Sequence, residues 1–262
     1  MIVGGGPGGM KAAITAAKRG HQVTLYEGEA QLGGQARLAQ LLPRRSEFGG
    51  IITNLTRELE LAQVRVLRNT WVDRALVERE APDVVILATG AKPYRPEIAL
   101  DDSVQVVDAW QVLRKEVRPG ARVVVADWRT DWIGPGIAEY LTREGSHVEL
   151  AVNGTHPASA LPLYVRDNIV AELHRLGVRV TPYARVFGAD SATVYMQHTA
   201  SGEPILFEGI DTLVLCHGHE VVNPLKSALK GLDIAVHSIG DCLAARTAEE
   251  AVYEGLKIGA AI

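Results

Sequence analysis

The chain opens MIVGGGPGGMKAAI (residues 1–14), and the spacing of its glycines decides the fold. Gly4, Gly6 and Gly9 satisfy the pattern G-x-G-x-x-G, with Pro7 and Gly8 inside it. In a strand–loop–helix unit the first glycine permits a tight turn and the second lets a pyrophosphate approach the backbone. The third lets helix and strand pack closely, and the helix N-terminus then faces the phosphates. Only Met1, Ile2 and Val3 precede the loop, whereas a strand is typically about five or six residues long. Either the expected first strand is unusually short, or residues that belong in front of it have been cut away.

The pattern carries its context. Met10, Ala13, Ile14 and Ala17 recur at helical spacing, and Gly20 stops that helix. HQVTLYE (21–27) reads as the second strand of a βαβ unit, and Glu27 at its end is placed to accept hydrogen bonds from an adenosine ribose. A helical stretch around Ile51–Leu61 leads to VRVLRNTWV (64–72), read as a strand, and APDVVILATG (81–90) reads as a buried parallel strand.

A second unit repeats the design. PGARVVVAD (119–127) reads as a strand, GIAEYLTREG (136–145) as a helix closed by Gly145, and SHVELAV (146–152) as a strand, which suggests internal duplication. Tyr164–Leu176 reads as helix, the stretch from Val178 to His217 turns β-rich, and the tail TAEEAVYEGLKIGAAI reads as an amphipathic helix. Prolines at 93–96 and Pro224 mark expected hinges. The expectation is an α/β protein of two Rossmann-like domains, the second inserted into the first, with a discontinuous FAD-binding domain at 1–97 and 221–262 and a second nucleotide-binding domain at 98–220.

Composition narrows the class. Of 262 residues 47% are hydrophobic and 22% charged, and no apolar run reaches the ~18 residues that a membrane span requires. The net charge of −4 offers no basic footprint for nucleic acid, and aromatics at 5% offer few stacking platforms. No secretory leader pattern is present, and Cys216 and Cys242 alone suggest no disulfide framework, so a cytoplasmic setting is expected.

Three further stretches bear on which nucleotide is bound. GEAQLGGQARLA (28–39) follows Glu27 directly; Gly33 and Gly34 let the backbone pass close to a long cofactor, which Gln35 and Arg37 could contact. ATGAKP (88–93) supplies Ala88, Thr89 and Gly90, and SIGDCLAARTAEEAVYEGLKIGAAI closes the chain. In this last stretch Gly240 and Asp241 can bring a carboxylate to a flavin's ribityl or phosphate region, with the helix after Thr247 aiming its N-terminus at the isoalloxazine. Val72 completes the candidate cofactor-contacting residues.

Together these elements resemble the FAD domain of two-dinucleotide-domain flavoprotein reductases. LGGQARLA, PRRSEF (43–48) and GDCLAARTAEEAVYEGLKIGAAI narrow the resemblance. They are similar to the C-terminal half of the trimethylamine dehydrogenase and 2,4-dienoyl-CoA reductase family, which belongs to the old-yellow-enzyme-related NADH:flavin oxidoreductases and includes N-methyl amine demethylases. The resemblance implies FAD here, and a β/α barrel carrying FMN and a four-iron cluster as a partner domain or subunit, in an oligomeric enzyme. Two cysteines cannot supply the four thiolates of such a cluster. The chain is therefore expected to be the C-terminal part of a larger enzyme, severed within or just before its first strand, and upstream residues are expected to raise its melting temperature.

The family implies NAD(P)H or ADP in the second domain, and there the fingerprint degrades. After VVVAD the loop reads WRTDWIGPG; with Leu141 in register, Gly134 takes the third glycine's position while Arg129 and Asp131 stand where the first two belong. Side chains there obstruct the approach of a pyrophosphate, and Asp127 and Asp131 repel it. The next strand ends with only Asn153 as a ribose partner. NAD(P)H, ADP or an empty structural domain all stay open.

Cys216, His217, His219 and Cys242 are set aside as a metal site, since zinc needs four tetrahedral ligands and no CxxC supports one. Cys216 and Cys242 lie 26 positions apart, against a redox dithiol. Gly218 reads as a turn near the flavin, and Trp128 and Trp132 as packing or a domain-facing surface. No side chain reads as a catalytic acid, base or nucleophile. The leading expectation is an electron-transfer module in which FAD passes electrons between a nicotinamide or external acceptor and an FMN/iron-sulfur barrel, with N-methylated amines or enoyl thioesters turned over in the barrel. The alternatives are a non-redox nucleotide-binding scaffold and a free-standing NAD(P)H-dependent reductase of an acceptor such as ferredoxin.

Overall fold

The computed structural model describes residues 1–101 and 103–262. The chain forms two compact units, one made of residues 1–92 and 219–262 and the other of 93–218.

In chain order the first unit supplies β1 (Ile2–Val3), α1 (Pro7–Lys18), β2 (Thr24–Tyr26), α2 (Ala36–Ala39), α3 (Phe48–Leu61), β3 (Arg65–Leu67), α4 (Arg74–Glu80), β4 (Val84–Leu87) and β5 (Ala91–Pro93), the last ending at the crossing. The second unit contains β6 (Ala99–Leu100), β7 (Gln105–Asp108), α5 (Ala109–Leu113), β8 (Arg122–Asp127), α6 (Ile133–Arg143), β9 (His147–Val152), α7 (Leu163–Arg175), β10 (Arg179–Thr181), β11 (Ala184–Asp190), β12 (Thr193–His198), β13 (Pro204–Glu208) and β14 (Thr212–Cys216). The chain then returns with β15 (His219–Val221), α8 (Pro224–Ala228), β16 (Ala235–Ser238), a short 3-10 turn at Gly240–Cys242, and α9 (Ala248–Ala261).

The first unit is built on a parallel sheet in the order β16-β4-β1-β2-β3. Its central strand, β1, pairs on both sides, Ile2 with Leu25 and Ile86, and Val3 with Tyr26 and Leu87. The two-residue period sends Ile2 and Ile86 into one apolar cluster with Met10 and Ile14 of α1 and Leu55 and Leu59 of α3. Val3, Val85 and Leu87 face the opposite cluster, with Val77 of α4, Leu225 of α8 and Leu229 just after it. Both faces are covered, as a parallel sheet of Val, Ile and Leu requires.

The stretch 64–72 is not one strand. Only Arg65–Leu67 is extended, because Asn69 takes a left-handed conformation (φ 51°) and turns the chain back, its N–H donating to Glu29 O and that of Thr70 to Glu27 O. Pro224 opens α8, where its missing N–H costs nothing.

The second unit carries a parallel sheet in the order β10-β9-β8-β14-β7 and an outer sheet β13-β12-β11-β6. Val124, Ala126, Leu213 and Leu215 of the first meet Val186, Val194 and Met196 of the second. Buried Ile137, Ala138 and Leu141 line the inner side of α6, which packs on β8 and β9. The strand order reverses between β8 and β14, the crevice position at which doubly wound sheets bind ligands.

Candidate functional site

The first glycine loop owes its shape to contacts that only glycine allows. Gly4 (φ 111°) lies so close to the 88–90 segment that a Cβ would stand 2.1 Å from Ala88 O. A Cβ on Gly9 would stand 1.9 Å from Gly4 O, so α1 rests directly on the loop's own backbone. At Gly6 nothing of the protein lies within 4 Å of the same position. A pyrophosphate approaching this loop would need that position bare, and nothing of the protein blocks it. Pro7 takes the first helical position and α1 has no side-chain cap, which leaves its N-terminal N–H groups to a ligand. Gly8 is bare for a different reason: a Cβ there would lie 2.9 Å from Ala251 O of α9, and Gly255 and Gly259 press as closely on α1 from the other side.

Several sequence-predicted residues converge on this loop. Glu27, half-buried at the end of β2, accepts from Gly5 N (2.7 Å) and Glu29 N (2.8 Å) through its two oxygens. Each keeps a lone pair for a ribose hydroxyl. Gly33 donates its N–H to Gly5 O (2.8 Å), and a Cβ on Gly34 would sit 3.3 Å from Gly6 Cα. Gln35 Nε2 donates to Asp241 Oδ2 (2.7 Å), and Arg246 N donates to Asp241 Oδ1 (3.1 Å). Burial raises the pKa of the Asp241 carboxyl, while its hydrogen bonds and the nearby His219 and Arg246 oppose that rise. Arg37 is half-buried beside Gly33 with no ion-pair partner among the described residues.

Ala88 takes its place against Gly4 and Gly9, and Thr89 fixes the same segment by donating its hydroxyl to Val222 O, with Gly90 in the left-handed region (φ 76°). Gly240 N is held by Glu254 Oε2 (2.7 Å). Thr247 caps α9 in a reciprocal box with Glu250, so its hydroxyl is committed to the helix. The Val72 side chain packs on the cluster of Val3, Val85 and Leu87. One candidate had no sequence signal: Trp71, 79% exposed, lays its indole along Gly28, whose Cβ would meet the ring at 2.7 Å. No periodicity or motif marks a lone aromatic after a short strand.

The corresponding loop of the second unit is built from side chains. Asp127 ends β8 fully buried; its Oδ1 accepts from Thr130 N (2.9 Å), and its Oδ2 has no partner among the described residues. Burial, with Asp131 nearby, pushes the Asp127 carboxyl up to about 8. Asp131 accepts from Ile133 N (2.9 Å) at the start of α6. Cys216, opposite Asp127 in the ladder, is buried and its thiol is pushed well up. Burial lowers His217 to about 4, and its ring stacks on Trp128 at 6.2 Å. Cys216 and Cys242 are both free thiols, and among the described residues no group of three or more His, Cys, Asp or Glu is arranged to hold a metal. Two concavities of about 260 Å³ and 360 Å³ open at the strand starts, the first lined by Arg122, His147 and Arg179 and the second by Met1, His21 and Asp83; neither contains a glycine-loop residue. No described helix is long and apolar enough to cross a membrane.

The model of the family described as pyridine nucleotide-disulphide oxidoreductase matches residues 1–242. N,N-dimethylglycine/sarcosine dehydrogenase of Chromohalobacter salexigens is 31% identical, covering 98% of this chain and 43% of its own length. A probable N-methylproline demethylase of Rhizobium meliloti is 30% identical, covering 98% and 42%. Among solved structures, 2-naphthoyl-CoA reductase in complex with 2-naphthoyl-CoA superposes with a TM-score of 0.89 at 29% identity, covering all of this chain and 39% of that one. The chain thus spans less than half the length of these relatives.

Proposed function

Because the chain belongs to the pyridine nucleotide-disulphide oxidoreductase family, whose fold binds FAD and NAD(P), we propose that its first unit holds FAD and serves as the electron-transfer portion of a multidomain flavin and iron-sulfur oxidoreductase. The observation that carries the reading is the open Cβ position of Gly6 at the start of α1, whose N-terminus has no side-chain cap, with Glu27 bonded to the neighbouring Gly5. Glu27 would take the adenosine ribose, Gly4, Gly6 and Gly9 with α1 the pyrophosphate, and Gly33, Gly34, Gln35, Arg37 and Asp241 the more distal part of the cofactor. FAD, when bound, supplies hydride and electron transfer. The chain's own residues bind it, neutralise its phosphates with backbone N–H groups, and fix its orientation.

Substrate chemistry belongs to a partner in this reading: a β/α barrel bearing FMN and a four-iron cluster, acting on N-methylated amines or enoyl thioesters. The names of the two curated relatives favour the amine, and that of the naphthoyl-CoA enzyme keeps the thioester in view. The absorbance spectrum of the purified chain, followed by chromatography of the cofactor released on heating, tests the first step. Near-stoichiometric FAD supports it. A colourless chain that takes up no added FAD overturns it and leaves a nucleotide-free scaffold.

A further inference from the structure

The fold family implies a nicotinamide or adenine dinucleotide in the second unit, at the loop between β8 and α6. The residues there do not fit one. We infer that the second unit is a closed Rossmann-like body that takes neither NAD(P)H nor ADP, its phosphate position being filled by Asp131 and by the segment 154–161 folded over the loop.

Four observations within this unit converge. First, the opening N–H of α6 is already committed: Ile133 N donates to Asp131 Oδ1 at 2.9 Å. A carboxylate of the chain thus holds the first N–H of α6, and its charge opposes a phosphate there. Second, the angle between strand and helix is filled by a side chain. A Cβ on Gly134 would lie 2.3 Å from Asp127 Cγ, whereas the equivalent contact of Gly9 is to loop backbone. Third, Arg129, although its side chain is 48% exposed, is engaged by residues of its own unit. Its side chain lies along Gly218, whose Cβ would stand 2.9 Å from Arg129 Cδ, and its guanidinium faces Asp131 at 3.8 Å.

The fourth concerns the loop's fixation. Thr130 is buried in the left-handed region (φ 51°), an uncommon and strained conformation for a β-branched residue. It is held there by Asp127 Oδ1 on its N–H, by Ser159, which donates its hydroxyl to Thr130 Oγ1 (2.8 Å), and by Ala160, which donates its N–H to Thr130 O (3.1 Å). Ala158 beneath is fully buried. The segment after β9, from which an adenosine ribose would be recognised, is instead hydrogen-bonded to the loop. Admitting a pyrophosphate would break these bonds and set its charges beside Asp131.

On the flavin reading of the first unit, reducing equivalents then reach FAD from another redox centre and not as nicotinamide hydride. The inference about the second unit does not depend on that reading, and the test separates them. Hydrogen exchange of the intact chain is followed by peptide with and without millimolar NADH, NADPH or ADP. Unchanged exchange at residues 128–136 and 153–161 is expected, and slowing confined to residues 4–12 and 27–35 also supports the inference, since the nucleotide has then gone to the first unit alone. Saturable slowing of 128–136, on the order of tenfold as expected for an occupied helix N-terminus, overturns it.

Discussion

Gln35 Nε2 donates to Asp241 Oδ2 at 2.7 Å, tying the glycine pair after β2 to the turn before α9 across 206 positions of sequence. A charge-assisted bond of this kind contributes roughly 1.5–3 kcal/mol. Gln35→Ala is therefore expected to raise the Kd for FAD on the order of tenfold or more while leaving the fold of the flavin-free chain intact, as read by flavin fluorescence titration and circular dichroism. An unaltered Kd would remove Gln35 and Asp241 from the cofactor site.

The three fingerprint glycines separate binding from folding. Gly6 has extended backbone (φ −72°, ψ 176°) and empty space at its Cβ position. Gly6→Val should leave the denaturation midpoint nearly unchanged and abolish FAD uptake. Gly9→Ala drives a methyl into Gly4 O and should destabilise the flavin-free chain by about 1–3 kcal/mol, the usual cost of overpacking. Urea titration of both variants checks the contrast, and equal loss of stability in the two would refute it.

Asp127 makes stability depend on pH with a defined sign. Its carboxyl is pushed up to about 8 in the folded chain from an ordinary value of 3.8. Its contribution is fully present below 3.8 and is lost progressively as pH rises towards 8, because unfolding then releases a proton. Asp127→Asn keeps an acceptor for Thr130 N and removes the titration. Relative to the parent, the variant should gain about 3 kcal/mol between about pH 5 and about pH 7.5. His217, lowered to about 4, acts with the opposite sign, stabilising above its unfolded value near 6.5 and less as pH falls; it cancels in this difference. A pH-independent difference in urea midpoints would show that Asp127 ionises normally.

The crossing of α1 and α9 rests on bare backbone. A Cβ on Gly255 would stand 2.3 Å from Gly8 O, and one on Gly259 2.7 Å from Ala12 O. Gly255→Val should cost about 1–3 kcal/mol and loosen flavin as well, since Glu254 beside it holds Gly240 N next to Asp241. Thermal melts with and without FAD read both effects, and a variant as stable as the parent would disprove the close crossing.

Much of this was legible in the residues themselves. The spacing of Gly4, Gly6 and Gly9, the helical recurrence from Met10 to Ala17 and the acid at Glu27 are local signals, and backbone sterics translate them directly into a strand, a turn and a helix. The same holds for VVVAD and the glycine at 145. The stretch 64–72 misled because strand propensity is local, whereas the left-handed turn at Asn69 is stabilised by bonds to Glu27 O and Glu29 O, a segment about forty residues earlier. Trp71 and the Gln35–Asp241 bond were invisible for the same reason.

The sequence by itself determined that there are two Rossmann-like units, which of them keeps an intact glycine fingerprint, and that Arg129 and Asp131 replace glycines in the other. Those follow from residue type and short-range spacing. Only the tertiary structure decided that Gly6 faces open space while Gly8 packs on α9, and that Asp131 accepts from the first N–H of α6 while Ser159 and Ala160 hold Thr130. The physical reason is that a glycine's or a carboxylate's role is set by the atom it meets, and these atoms are brought there by segments distant in the chain.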